Sequence, residues 1–287
     1  NTLKISALNQ LKELSEQKIE DIQLLKRLIA RRCIYGLDLN PLSVQLARLS
    51  IWIHTFVPGL PLSLLDHSIR QGNSLVGVGS IDEIKNKIDE AKDTLFAADS
   101  EALIKEASQP LMKFAKITDA TISDVNKARD LISEAKENIE SVKVLCDLIT
   151  SYNISDSKLI KGFPFEDWEN RKDTILQSPE FSESKAILQG LSVFHFPIEF
   201  PEVFLFDMRG FHVILGNPPW QEITVEKDAF WARYFPGLGG LNQREQEQKK
   251  VEYIINRPDL EIIYNQEVEE ADKLRKFLVK SYDGVMG

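Results

Sequence analysis

The residues best suited to chemistry are Asn217, Pro218, Pro219 and Trp220, which follow an apolar, strand-like run at 211–215. Two consecutive prolines fix the backbone and remove two N–H donors, so the nearby carbonyls stay free to accept. The Asn217 side-chain oxygen and the Pro218 carbonyl give two acceptors at one place, which suits an exocyclic amine with two hydrogens to donate. Trp220 offers a face on which a planar ring can stack. The alternative interpretation is a rigid turn with a packed tryptophan.

A second group of candidate residues lies early in the chain. The run 34–38 is short and apolar and ends in an acid, Asp38, which predicts a strand. Asn40 and Pro41 are typical of a helix start, with Asn as the cap and Pro at the first helical position. The helix that follows is apolar nearly all round, so we expect it, with Trp52, to be well buried. This order of strand, acid and helix indicates one βα unit of an α/β sheet.

The elements between these two groups are predicted to be a strand and then a set of long helices. A loop and a strand should end near Asn73, and apolar residues at helical spacing follow. Thr121 and Asp124 predict a capping box that opens a helix continuing to about Ile149. Pro110 should end or kink the helix before it. These patterns predict a long α-helical insertion, folded as a hairpin or small bundle.

The same patterns divide the chain into three segments. Residues 1–80 form the first part of the α/β domain and open with an amphipathic helix. Residues 81–160 form the helical insertion. Residues 161–287 carry the Asn-Pro-Pro-Trp motif and close with a charged helix at about 258–280.

Composition excludes several classes of protein. The 287 residues carry a net charge of −9, with 43% hydrophobic and 28% charged residues, which is ordinary for a globular chain. The longest uncharged run, 49–65, is interrupted by prolines and too short for a membrane span, so no membrane partner is expected. Cys33 and Cys146 make no disulfide framework, which favours the cytoplasm. The four histidines are too scattered to predict a metal site.

Three stretches together resemble the amino-group DNA methyltransferases that use S-adenosylmethionine, whose signature is (D/N/S)PP(Y/F/W). They are most similar to the adenine-specific enzymes of fused restriction–modification systems, known as type IIG. The stretches are IYGLDLNPLSVQLARLSIW at 34–52, LPLSLLDHSIRQGNSLVG at 60–77, and HFPIEFPEVF with GFHVILGNPPW within 195–220. The resemblance implies an α/β fold containing part of a Rossmann-like class I methyltransferase sheet, with the helical segment as an insertion.

The resemblance also implies a cofactor-binding role for four residues early in the chain. Asp38 would accept hydrogen bonds from the ribose hydroxyls of S-adenosylmethionine. Leu39 and Asn40 would flank the adenine of that cofactor. Asn73 stands where the family often has an acid that reads the adenine amine.

In the catalytic motif, the resemblance implies that Asn217 and Pro218 hold the amino group of a flipped-out target adenine. Pro219 belongs to the same rigid turn, and Trp220 would stack on the flipped base. The reaction would be a direct in-line transfer of a methyl group, with no strong base and no covalent intermediate. Positioning and electrostatics would supply most of the rate.

The chain also departs from the family pattern. No glycine precedes Gly36, so the glycine-rich cofactor loop of the first strand is missing, and later strands and a target-recognition domain are not evident. We therefore expect an internal fragment that needs the rest of its parent polypeptide and that binds cofactor poorly and is inactive alone. Double-stranded DNA would be contacted mostly by regions outside the chain, and within it by the mildly basic residues 1–80 rather than by 81–160.

Two other functions stay open at this stage. A methyltransferase acting on a protein glutamine amide uses a similar Asn-Pro-Pro-aromatic turn. A non-catalytic module in which 81–150 dock a partner would use the same narrow apolar seams as an intramolecular helical hairpin.

Overall fold

The structure, a computed structural model, describes residues 21–58, 60–61, 65–90, 100–114, 116–117, 121–155, 168–205, 210–216 and 224–281. These residues form two compact units. The first unit holds the described residues of 1–152 and 157–213, and the second holds those of 153–156 and 214–287.

The described elements are mostly helical. Up to residue 205 they are, in chain order, α1 (Asp21–Cys33), β1 (Gly36–Asp38), α2 (Pro41–His54), β2 (Ile69–Gln71), α3 (Ile81–Glu90), α4 (Ser100–Ala107), α5 (Gln109–Phe114), α6 (Ile122–Asn138), α7 (Glu140–Ser155), α8 (Trp168–Leu176), α9 (Pro179–Leu188), α10 (Phe196–Glu199) and α11 (Pro201–Phe204). Beyond residue 224 they are α12 (Lys227–Tyr234), a 3₁₀ turn (Leu238–Gly240), α13 (Gln243–Asn256) and α14 (Pro258–Ser281).

The predicted βα unit is present, and β2 completes it as a β-α-β arrangement. β1 and β2 run parallel, with Asp38 paired to Gln71 at their carboxyl ends. The Gly36 amide donates to the Ser68 carbonyl at 2.9 Å, and the Gly72 amide donates to the Asp38 carbonyl at 3.0 Å. Parallel neighbours joined by a helix are the building unit of α/β sheets.

A third extended segment lies beside the end of β2. Asn73 forms a parallel bridge with Val193, and the Asn73 amide donates to the Ser192 carbonyl at 2.7 Å. Further along, the Phe194 amide donates to the Val76 carbonyl at 2.9 Å. This pairing brings the residues before α10 alongside the residues after β2, although they are more than a hundred positions apart in sequence.

Helix α2 begins as predicted but is much less buried than expected. Pro41 occupies its first turn, and only Val44 is fully buried, in a cluster with Leu65 and Ile69. The leucines and isoleucine on the opposite side, at positions 42, 46, 49 and 53, are 49–67% exposed. The prediction of a well-buried helix is therefore wrong for the described structure. A helix that is apolar all round needs neighbours on every side, and within the described residues α2 packs on the sheet with one face only.

The capping box predicted at Thr121 is confirmed. The Thr121 hydroxyl accepts from the Asp124 amide at 3.1 Å, and the Asp124 carboxylate accepts from the Thr121 amide at 3.1 Å. The helix does not run on to Ile149, however, because α6 ends at Asn138 and α7 begins at Glu140. Asn has a poor helix propensity because its side chain competes for backbone hydrogen bonds, which suits it to such a junction.

The break predicted at Pro110 is also confirmed. Ser108 separates α4 from α5, and Pro110 lies in the first turn of α5, where a missing N–H costs nothing.

The helices of the 81–155 region share a core with the aromatic residues near α10 and α11. This core is formed by Val78, Ile81, Ile84, Ile104, Val142, Leu145, Cys146, Ile149, Phe194, Ile198, Phe200 and Phe204. Tyr35 and Leu37, from β1 and the residue before it, pack against the same core. Burial of this continuous apolar surface stabilises the helices and the sheet together.

A buried carboxylate links the amino ends of the two strands. Glu202 on α11 is 8% exposed, and its Oε1 accepts from the Tyr35 hydroxyl at 3.0 Å and faces His67 Nε2 at 2.6 Å. Tyr35 directly precedes β1, and His67 lies two residues before β2. The His67 ring packs edge-on against Phe114 and Phe200. This network lies at the edge of the sheet opposite to Asp38. It connects α11 to the segments that precede β1 and β2.

The Tyr35 contact predicts a specific response to alkaline pH. Burial raises the pKa of the Tyr35 hydroxyl above its usual 10.0, and the neighbouring Glu202 carboxylate raises it further. Above pH 10 the unfolded chain therefore loses this proton before the folded chain does, so the free energy of unfolding falls. The stability gap between wild type and Tyr35→Phe should shrink above pH 10 by at most about 1.4 kcal/mol per pH unit. Urea denaturation of both proteins at several pH values measures this, and a constant gap would contradict it.

The strand predicted at 211–215 is not formed. Val213, Ile214 and Leu215 have no strand pairing, and they are 72–91% exposed. Strand formation requires a neighbour that accepts its hydrogen bonds. Among the described residues, none pairs with this run, so its β-forming sequence stays unpaired.

The second unit contains α12, α13 and α14 around an aromatic core. Phe230, Trp231, Leu238 and Leu260 are its fully buried members. Helix α14, Pro258–Ser281, confirms the predicted charged helix near the end of the chain.

Among the helices that the structure describes, none combines the length and apolar character needed to cross a bilayer.

Candidate functional site

The candidate site lies at the carboxyl ends of β1 and β2. Asp38 is the last residue of β1, and its carboxylate is exposed. Its Oδ1 accepts from the Asn40 amide at 2.7 Å, which fixes the orientation of the side chain while the second oxygen stays available. In open α/β sheets, ligands bind outside the carboxyl ends of the strands. A ligand with paired hydroxyl groups could therefore donate a hydrogen bond to the Asp38 carboxylate.

The residues after Asp38 form a short turn into α2. Asn40 caps the helix, because its side-chain oxygen accepts from the Leu42 amide at 2.8 Å and the Ser43 amide at 3.4 Å. These two hydrogen bonds hold the Asn40 side chain against the first turn of α2. Leu39, by contrast, has an exposed side chain and gives the edge an apolar surface next to the carboxylate.

Gln71 is a polar residue at this edge that sequence reasoning did not single out. It ends β2 directly beside Asp38, and its Nε2 donates to the Leu39 carbonyl at 3.2 Å. The side chain itself is exposed. The strand register brings Gln71 next to Asp38, and the sequence alone does not specify that register.

Asn73 is buried beside the end of β2, and its role toward the cofactor stays a prediction from the resemblance. It is 7% exposed, and its Oδ1 accepts from the Leu75 amide at 3.0 Å. Its backbone bridges to Val193. The Asn73 side-chain oxygen thus caps a turn and has a structural partner within the chain.

The predicted catalytic residues Asn217, Pro218, Pro219 and Trp220 lie outside the described residues. The described chain leads up to them through 211–216. Their assignment stays a prediction from the sequence motif.

The buried histidines have partners that explain them structurally. His195 Nδ1 accepts from the Val78 amide at 3.1 Å, and His195 Nε2 faces Asp147 Oδ1 at 2.9 Å. This contact ties α7 to the segments beside the sheet. Within the part of the chain that the structure describes, no three His, Cys, Asp or Glu side chains are grouped so as to hold a metal ion.

A β-α-β unit with an acid at the end of its first strand is a ligand-binding arrangement of α/β enzymes. The model of the Eco57I restriction-modification methylase family matches residues 32–277, so this chain belongs to that family. Membership implies a DNA methyltransferase. No curated protein and no solved structure matches the chain.

Proposed function

We propose that this chain is the methyltransferase region of an S-adenosylmethionine-dependent DNA adenine-N6 methyltransferase of type IIG. The single observation that carries the proposal is the exposed Asp38 carboxylate at the end of β1, within a chain of the Eco57I restriction-modification methylase family. The Asn-Pro-Pro-Trp motif at 217–220 supports transfer to an amino group, because it offers acceptors and an aromatic face.

The residues at the sheet edge fit the nucleoside part of S-adenosylmethionine. Asp38 is exposed and has one oxygen held by the Asn40 amide, so its second oxygen can accept from a ribose hydroxyl. The exposed Leu39 side chain offers apolar contact to a purine ring. When bound, the cofactor supplies an electrophilic methyl group on a sulfonium sulfur.

The chain's own residues would position the target base. The Asn217 side-chain oxygen and the Pro218 carbonyl accept from the two hydrogens of the adenine amino group, and Trp220 stacks on the flipped ring. These contacts would raise electron density on the amino nitrogen and would orient its lone pair toward a methyl donor that Asp38 and Leu39 would help to hold. This mechanism gains its rate from orientation and electrostatics.

The burial of the apolar faces in the helical region favours this proposal over a docking module. Helices α3, α4 and α7 bury their apolar seams in the same core as Phe194 and Phe200. A docking module would keep such seams uncovered for its partner. The partner we propose is double-stranded DNA, held mostly by parts of the parent polypeptide outside this chain.

The proposal is tested by incubating the full-length protein with methyl-labelled S-adenosylmethionine and duplex DNA. We expect label in the DNA, and N6-methyladenine as the modified base after digestion to nucleosides. A duplex in which every adenine is replaced by purine, which lacks the amino group, serves as the control and should receive no label. Label on the N4 position of cytosine, or on a protein glutamine alone, would overturn the assignment.

A further inference from the structure

We infer that Gln71 is a positioning residue of the cofactor site, which holds the turn after Asp38 in place. The inference rests on the proposed function, because it concerns the edge at which S-adenosylmethionine would bind. Gln71 contacts no reacting atom. It acts through the backbone of Leu39, which lies between Asp38 and the cap of α2.

The geometry of the Gln71 side chain supports this role. Asp38 and Gln71 are paired across two parallel strands, so their side chains leave the sheet on the same face. The Gln71 Nε2 donates to the Leu39 carbonyl at 3.2 Å. The turn that carries the Asp38 carboxylate is therefore held from two sides, by the Asn40 amide and by Gln71.

Asn73 makes a different contact from Gln71 and is buried. Its Oδ1 is engaged by the Leu75 amide at 3.0 Å, and the residue is buried beside Val193. This oxygen keeps a second lone pair, but reading a cofactor amine with it would require exposing a side chain that is buried. Gln71 is exposed and needs no such rearrangement.

The consequence is a role in cofactor affinity rather than in the chemical step. A hydrogen bond that holds a binding turn in its bound conformation lowers the ordering cost of binding. Removing it should weaken S-adenosylmethionine binding by about threefold to tenfold, the range expected for one exposed hydrogen bond. The turnover number at saturating cofactor should stay within about twofold of wild type, because the methyl donor and acceptor are held by other residues.

Three substitutions of Gln71, with one of Asn73 and one of Asp38, separate the possible causes. Gln71→Met keeps the length without a donor, Gln71→Glu adds a negative charge without a donor, and Gln71→Lys restores a donor to the Leu39 carbonyl. Asn73→Ser keeps a hydroxyl that can cap the turn but shortens the side chain. Asp38→Ala is the reference for loss of the site. Each full-length variant is examined by calorimetric titration with S-adenosylmethionine, by KM and kcat for methylation, and by thermal unfolding.

The expected result is weaker cofactor binding in Gln71→Met and Gln71→Glu, near-wild-type binding in Gln71→Lys and Asn73→Ser, and unchanged melting temperatures. Wild-type affinity in Gln71→Met, with a loss in Asp38→Ala, would overturn the role of Gln71 and leave the proposed function standing. A loss in Asn73→Ser without one in Gln71→Met would assign the role to Asn73. Absence of binding to the wild type, or wild-type affinity in Asp38→Ala, would overturn both proposals.

Discussion

Replacing Asn217 by alanine in the full-length protein is expected to reduce methyl transfer by about a hundredfold to a thousandfold. The side-chain oxygen at this position is proposed to accept from the adenine amino group and to hold its nitrogen lone pair toward the methyl carbon. Losing one preorganised hydrogen-bonding group of this kind has an effect of that size on turnover. Affinity for S-adenosylmethionine should change by less than about threefold, because Asp38 and its neighbours would hold the cofactor.

The matched control is Asn217→Asp, which keeps an acceptor of nearly the same shape at the same place. The signature of the amino-group DNA methyltransferases that this motif resembles includes Asp at that position, so this variant should retain far more activity than the alanine variant. Single-turnover labelling of a duplex measures the chemical step, and calorimetry measures cofactor binding. Wild-type turnover in Asn217→Ala would remove the motif from the mechanism. Equal loss of cofactor affinity and turnover would mean that Asn217 supports the fold instead.

Local sequence signals predicted the local structure well. Asn40 and Pro41 specified the start of α2, and Thr121 with Asp124 specified the start of α6, because each cap is satisfied by atoms within four residues. The strand ending at Asp38 was predicted from its apolar run and terminal acid. Each of these features depends on contacts close in sequence.

Features that depend on distant parts of the chain were not predictable in the same way. The apolar character of α2 predicts burial only if neighbours cover all its sides, and only one side is covered within the described structure. The run 211–215 has the composition of a strand, but pairing depends on a partner strand. The core joining α3, α4 and α7 to Phe194 and Phe200 depends on packing across long sequence separations.

The positions of the candidate residues in the fold were predicted in part for the same reason. Asp38 follows from its position at the end of a strand. The role of Gln71 depends on strand register, and the burial of Asn73 depends on its bridge to Val193, so neither follows from local sequence. The Tyr35, His67 and Glu202 network likewise joins residues that are far apart in the chain.

Replacing Gly77 by alanine is expected to destabilise the first unit by more than about 3 kcal/mol. Gly77 has φ +133°, a conformation that side chains rarely adopt, so any other residue there is strained. A Cβ at this position would lie 2.1 Å from the Phe194 carbonyl oxygen, which is backbone and cannot rotate away. The two segments would have to separate, which breaks the hydrogen bond from the Phe194 amide to the Val76 carbonyl. Because this hydrogen-bonded pairing lies between β2 and the aromatic core, breaking it should destabilise both.

The matched control is Gly79→Ala, two residues further along the same segment. A Cβ there would meet only Glu83 Oε2 at 3.8 Å, and alanine restricts the unfolded chain more than glycine does, so stability should be unchanged or slightly higher. Thermal unfolding should show a large drop for Gly77→Ala alone, and hydrogen exchange should show faster exchange in the peptide that contains Phe194 and Phe196. Equal melting temperatures for the two variants would mean that the segments at 76–78 and 194–196 are not packed as closely as described. Because this close approach sets the path of the chain after β2, a Gly77→Ala protein that still folds should also show weaker S-adenosylmethionine binding, whereas Gly79→Ala should bind as wild type.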